Sequence, residues 1–184
     1  MGEKTVLLHT CCAPCSSYVL EYLSQYFEIT LFFYNPNISP EEEYRFRLQE
    51  LERLVTEMGL REQVRVIAGV YAPTEFEAIA QGREKLPEGG SRCADCYRLR
   101  LRASAEIAAE GGYDFYTTTL SISPYKNAEW LNTIGREEGE RMGVRWLPSD
   151  FKKKNGYKRS CELSAQYNLY RQDYCGCVYS KKAP

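Results

Sequence analysis

The sequence predicts an α/β fold: a doubly wound, Rossmann-like parallel sheet carrying an irregular basic C-terminal appendage. Three observations lead there. Short β-rich runs alternate with helical patterns of about 12–18 residues, as in successive β–α–β units. The run Glu28–Tyr34 (EITLFFY) is almost wholly apolar, as a strand covered on both faces must be. Beyond Pro148 the alternation stops. Right-handed crossovers turn such a sequence into a doubly wound sheet, whose ligands bind beyond the carboxyl ends of its strands.

The elements follow in order. Thr5–His9 is a short buried strand. Pro14 stands where a first helical residue would, and Tyr18, Val19, Tyr22 and Leu23 carry helical spacing to about Tyr26. Glu28–Tyr34 is the second strand and NPNISP a turn. From Glu41, Leu48, Leu51, Val55 and Met58 share one helical face, and Gly59 closes that helix. Val64–Ala68 is a third strand. A stretch punctuated by Pro and Gly runs from Tyr71 to Arg92, with a short helix near Phe76–Ala80. Cys93 opens a further helix through Cys96, Leu99, Ala103 and Ile107 to Gly111-Gly112. Asp114–Leu120 is a strand, SISPYKN a turn, Ala128–Met142 a helix and Val144–Leu147 a fifth strand. Residues 149–184 form the appendage, packed back on the 1–148 core in one domain, with a short helix near Glu162–Tyr170.

Composition sets the class. The 184 residues are 43% hydrophobic and 27% charged, values of a soluble globular domain. No apolar run approaches the roughly 20 residues of a membrane span, so no membrane partner is expected. The chain enters its first strand within a few residues of Met1, so no secretory signal is expected, and a cytoplasmic, reducing setting follows. Eight cysteines in that setting are metal ligands or catalytic groups before they are a disulfide framework. The net charge of -1 hides an asymmetry: residues 151–184 hold eight cationic side chains against Glu162 and Asp173. A basic end on an acidic body suits a polyanionic partner, although a solvated tail would read the same way.

Seven cysteines fall into three groups: C-C-x-x-C (Cys11, Cys12, Cys15), C-x-x-C (Cys93, Cys96) and C-x-C (Cys175, Cys177). Cys161 stands alone and reads as a structural thiol. A C-x-x-C brings two sulfurs to one face of a turn, where both can meet one metal or cluster. At the start of a helix, free N–H groups and the dipole favour thiolate. Gly176 lets the backbone fold so that Cys175 and Cys177 face one site. Three chemistries compete. Cys12-Ala13-Pro14-Cys15 has the C-x-P-C form of thioredoxin-like exchange sites, but that leaves five grouped cysteines without work. Cys93, Cys96, Cys175 and Cys177 would make a structural zinc site. Four thiolates would hold a [4Fe–4S] cluster, at a spacing unlike that of bacterial ferredoxins. Seven thiols exceed any one site's need, which suggests a cluster with a second metal or with a redox thiol pair. Asp150 or Asp95 could add a hard ligand, although each also suits a cap or first-turn role.

The stretches LLHTCCAPCS, RCADCYRLRL, TTLSISPYKN and DFKKKNGYKRSCELSAQYNLYRQDYCGCVYS together resemble the cobalamin-independent epoxyqueuosine reductases of the QueH type. The resemblance implies an iron–sulfur oxidoreductase that converts epoxyqueuosine to queuosine at the tRNA wobble position, the last step of queuosine biosynthesis. It implies the adenine-nucleotide α-hydrolase-like branch of Rossmann folds. It places the family's cysteines on Cys11, Cys12, Cys15, Cys93, Cys96, Cys175 and Cys177 and its aspartate on Asp150. Where ATP-using relatives carry a glycine-rich phosphate loop after the first strand, this chain carries Cys11–Cys15, so ATP use is not expected.

Opening an epoxide to an alkene takes two electrons and two protons. The electrons would come from a [4Fe–4S] cluster supplied by an unidentified electron donor. A second mononuclear metal, iron held by spare thiolates and Asp150, would polarise the oxygen. Proton-donor candidates are Tyr125, Lys126, His9 and a metal-bound water, with His9 also readable as a hydrogen-bonded loop anchor. Lys152, Lys153, Lys154, Lys158 and Arg159 are candidate phosphate contacts, and Tyr157 a candidate stacking platform for a base. Tyr167 and Tyr170 read as core. Arg98, Arg100 and Arg102 read as a helix surface with one arginine near the metal. Two other classes stand beside this one: a zinc-stabilised RNA-binding module and a thiol–disulfide oxidoreductase using Cys12 and Cys15.

Overall fold

The structure, a computed structural model, describes residues 4–181. Lys182, counted above among the cationic residues, lies outside them.

β1 (Lys4–Thr10) is the centre of the sheet. Its odd and even residues serve different layers because strand side chains alternate. Val6 and Leu8 join a core formed with α1 (Ala13–Leu23), β2 (Phe27–Phe33), α2 (Glu41–Glu57) and β3 (Val64–Ala68). Leu7 joins the opposite core, with α4 (Ser91–Glu110), β4 (Phe115–Thr118), α5 (Ala128–Met142) and β5 (Arg145–Trp146). The five strands are parallel in the order β3-β2-β1-β4-β5. Helices therefore cover both faces, which is why β1 and β2 read as continuous apolar runs.

The chain winds outward through β1, β2 and β3, then crosses back to β4 on the other side of β1. The loops after β1 and β4 leave the sheet in opposite directions and open a crevice at the carboxyl edge. The loop after β4 is a 3₁₀ turn, Thr119–Ile122, so the expected strand Asp114–Leu120 stops short. Thr118 Oγ1 accepts from the Leu120 N–H at 3.2 Å and caps that turn.

α3 (Pro73–Ala80) spans the segment between β3 and α4. Among the described residues the appendage has one α-helix, α6 (Gly156–Gln166), which starts earlier than the expected helix near Glu162–Tyr170, and a 3₁₀ turn at Val178–Ser180. Gly156 begins it because a Cβ there would overlap the backbone carbonyl of Phe151 and lie 2.6 Å from Tyr18 Cε1 on α1. Glycine here permits packing and does not break the helix. α6 lies on α1, and Arg159 fastens them through Glu21 at 2.9 and 2.6 Å. Residues 167–177 then run along α2 as a strap. Arg53 donates to the Tyr167 and Asn168 carbonyls, and Arg47 to those of Tyr174 and Cys175. Tyr170 belongs to this strap, against Phe46 and Glu43, while Tyr167 packs against the core. Among the described residues, no helix is long and apolar enough to cross a membrane.

Candidate metal centre

The crevice between the β1 and β4 loops is where the thiols gather. Cys12 caps the N-terminus of α1 in extended conformation, and Pro14 fits the helix's first turn, where an N–H is not needed. This turn brings Cys11, Cys12 and Cys15 together: their Sγ atoms all lie within 4.8 Å of one another, with Cys11 and Cys12 at 3.8 Å. Hydrogen bonds from the Cys11 and Cys15 thiols hold the Cys12 thiol well below its ordinary pKa, against its burial. The same contacts, with burial, hold Cys11 and Cys15 above theirs. One thiolate shared among three sulfurs is the behaviour of a soft-metal donor set. Cys12 itself is fully buried, which closes it to attack on an external disulfide.

Cys11, Pro14 and Cys15 form one wall of a cavity of about 250 Å³. Leu120, Ile122, Ser123, Tyr125 and Lys126 come from the β4 side, and Tyr157, Arg171, Asp173, Tyr174 and Cys175 from the appendage. A second, smaller cleft of about 20 Å³ adjoins it and is lined by Cys93, Cys96, Cys175 and Cys177. Cys93 and Cys96 occupy the first turns of α4, and the Gly89 N–H donates to Cys93 Sγ at 3.3 Å. Burial pushes the Cys96 thiol up to about 11. The strap delivers the other two, and Gly176 turns between them at φ +116°, a conformation that favours glycine. Cys175, Arg100, Lys126, Glu88 and Ser180 line both spaces. Cys11, Cys12 and Cys15 thus form one close set, and Cys93, Cys96, Cys175 and Cys177 line the adjoining cleft. Cys161 lies apart on α6, away from both.

The other expected residues divide. Lys126 Nζ donates to Cys175 Sγ at 3.1 Å. Burial works against its charge, but the facing Cys175 sulfur prevails and holds the ammonium above its ordinary pKa. Tyr125 stands on the cavity rim, 78% exposed. His9 is fully buried with both ring nitrogens engaged. Nε2 lies 3.0 Å from the Tyr34 carbonyl oxygen, which can only accept, so Nε2 carries the proton and Nδ1 accepts from Thr118 Oγ1 at 2.9 Å. Burial, then the charge of Arg100, push its pKa down to about 4. His9 therefore anchors the β1 and β4 loops and presents no proton to the cavity.

Asp150 lines neither space. Its carboxylate meets Lys152 at 2.7 Å and Lys153 at 3.6 Å. The carboxylates at the cavity are Asp173 and Glu88, which spacing did not mark. Asp95 pairs with Arg83. Among the basic residues, Lys153, Lys154 and Lys158 are exposed, whereas Lys152 is held by Asp150 and Arg159 by Glu21 and Glu162. Tyr157 is 38% exposed on the cavity wall. Of the arginines on α4, Arg98 and Arg102 pair with buried Glu138, and Arg100 turns inward to the thiols.

The family model described as Epoxyqueuosine reductase QueH matches residues 6–183. The chain is 43% identical over 182 residues to the epoxyqueuosine reductase QueH of Streptococcus pyogenes serotype M1, covering 98% of this chain and 71% of that one. It is 44% identical to that of Staphylococcus epidermidis, covering 97% and 77%, and 34% identical to that of Thermotoga maritima, covering 96% and 90%.

Proposed function

The chain belongs to the epoxyqueuosine reductase QueH family, and from that premise we propose that it removes the epoxide oxygen of epoxyqueuosine in tRNA as water, leaving the alkene of queuosine. The observation that carries this reading is the pair of adjoining thiol-lined spaces at the sheet's switch point, one of them opening into a cavity of about 250 Å³. That volume suits a single extruded base with its substituent and not a stacked duplex, so the wobble nucleotide enters alone.

The donor chemistry fits the expected cofactors. Seven soft sulfur ligands, three in one close set and four lining the adjoining cleft, suit a [4Fe–4S] cluster beside a second iron, with Lys126 and the Gly89 N–H as donors to two of the sulfurs. Bound there, these groups supply the two electrons and a Lewis-acidic contact for the oxygen. Asp150 is the candidate hard ligand for the second iron: its Oδ1 is buried without a hydrogen-bond partner, with Lys152 Nζ 2.7 Å away.

The remaining work falls to side chains. Lys126, held protonated on the cavity wall, donates one of the two protons to the departing oxygen, and solvent entering past the exposed Tyr125 rim supplies the other, so that it leaves as water. Leu120, Ile122 and Pro14 keep that wall apolar and limit water. Tyr157 stacks on the extruded base, and Lys153, Lys154 and Lys158 take the flanking phosphates. Electrons arrive from an external donor. The test is to incubate anaerobically prepared protein and reductant with tRNA carrying epoxyqueuosine, then to digest the RNA and weigh its nucleosides. Loss of one oxygen from the modified nucleoside is expected; an unchanged nucleoside with fully iron-loaded protein would reject the reading.

A further inference from the structure

Two of the largest fully buried side chains are arginines without a carboxylate. Arg92 and Arg100 are each 1% exposed. Neither forms an ion pair among the described residues, unlike buried Arg47, which pairs with Glu43. Arg92 Nη1 donates to the carbonyls of Arg83, Glu84 and Leu86, while its Nε and Nη2 have no partner. Arg100 Nε donates to the Cys96 carbonyl at 3.3 Å and Nη1 to Asn35 Oδ1 at 3.4 Å. Arg92 also lies 4.8 Å over the Tyr179 ring and Arg100 5.9 Å from that of Tyr97, but carbonyls and rings carry no full negative charge, and a buried cation facing none costs several kcal/mol.

What faces them is the four-thiol cleft. Arg92 and Arg100 both line it, with Lys126 as a third cation. The one carboxylate on that wall, Glu88, is exposed and pairs with neither arginine. Arg100 also feels a sulfur from each cysteine motif: Cys96, Cys175 and Cys11. Three cations against one screened carboxylate leave an excess of about two positive charges, which neutral thiols would not balance.

We infer that Arg92 and Arg100 are the fixed counter-charges of the four-thiol cleft, positioning residues that stabilise its anionic, metal-bound form and make the centre held there easier to reduce. This rests on the reading that the thiols hold a redox centre. Neither guanidinium loses its proton in the working pH range, so the bias is permanent, and each sits too deep for salt to screen it. An added electron is stabilised by whatever positive charge lies nearest in a poorly solvated site.

The experiment compares wild type, Arg92→Gln, Arg100→Gln, Arg92→Lys and Arg100→Lys after anaerobic reconstitution with iron and sulfide. The midpoint potential is read by redox titration with EPR detection. Each glutamine variant is expected at lower potential. At a fixed solution potential its ratio of reduced to oxidised centre falls about tenfold, which is about 59 mV for one electron. The lysine variants keep the charge and stay near wild type. Unchanged potentials in glutamine variants with full iron and sulfide overturn the inference. If a glutamine variant fails to load iron while the lysine variant loads, the charge is required and the inference stands; failure of both assigns the arginine a purely steric role and overturns it. A wild-type chain with no reducible centre refutes the cluster reading instead. The same variants are then compared for zinc retention against a chelator, where weaker retention in the glutamine variants supports the counter-charge role and equal retention rejects it.

Discussion

Lys126 Nζ lies 3.1 Å from Cys175 Sγ, a contact that joins the loop after β4 to the strap running along α2. It spans the two halves of the molecule at the one place where both cavities meet. The lysine gains an acceptor, and the sulfur a donor that fixes its place between the two spaces.

Lys126→Met removes the proposed proton donor while keeping the side chain's bulk. The rate of epoxide reduction in single turnover is expected to fall by about 10²-fold or more. Iron content should change little, because six of the seven grouped thiols are untouched. The checks are nucleoside mass analysis and iron per chain. A rate within a few-fold of wild type would remove Lys126 from the chemistry.

His9 makes stability depend on pH. Burial holds its folded pKa down to about 4, below the ordinary imidazole value of 6.5, so between those values the unfolded chain binds more protons than the folded one. Stability therefore falls as pH drops from about 6.5 towards 4 and levels off below. The gap corresponds to roughly 3 kcal/mol. Because His9 is the only histidine, one NMR resonance reports it. Denaturant unfolding across that range should show the loss, and His9→Gln should flatten that part of the profile.

The exposed lysines and the paired cations should behave differently. Replacing Lys153, Lys154 or Lys158 with Ala is expected to lower the slope of log K against log salt for tRNA by about 0.7–0.9 each. Arg159→Ala should instead lower thermal stability, because it releases the clasp between α1 and α6 on Glu21. Filter binding over a salt series and a melting curve separate the two.

Gly176→Ala tests how the strap reaches the cleft. The residue sits at φ +116°, and a Cβ would lie 2.7 Å from Ile38 Cγ1. The turn must open, which moves Cys175 and Cys177 away from Cys93 and Cys96. Iron and sulfide per chain are expected to drop while far-UV circular dichroism stays near wild type, since the sheet does not depend on this turn. Full iron loading would show that the cleft tolerates another path of the chain.

Much of this was legible in the residues, and the reasons differ from place to place. Val6, Leu7 and Leu8 announce a central strand because every position is apolar, which only a sheet covered on both faces allows. The α5 helix matches its expected span because Asn127 caps it and Gly143 ends it with positive φ, both local signals. The appendage helix lies earlier than tyrosine spacing suggests, because Gly156 opens it where the backbone passes against the Phe151 carbonyl and Tyr18, a fit that spacing does not mark. The three cysteine groups were readable from spacing, but their division into adjoining sets was not, since the strap's course depends on Arg47 and Arg53 far upstream. Asp150 reads as a hard ligand from its residue type; that its Oδ1 is buried without a hydrogen-bond partner beside Lys152 depends on the turn between them, which spacing does not show. Arg92, Asp173 and Glu88 carried no local mark of their place, and Arg100 was signalled only as one arginine among three.

The strap also imposes an order in time. The sheet is complete at Trp146, and Cys93 and Cys96 are in place by then, but Cys175 and Cys177 follow only after α6 and the path along α2. During synthesis the nascent domain therefore presents half of a ligand set, two thiols at the head of α4 that cannot yet enclose a metal. Premature capture of a metal there would have to be undone when the second pair arrives. If the four thiols hold a cofactor as proposed, its insertion waits until translation has passed residue 177, and that insertion would lock the strap onto the finished sheet.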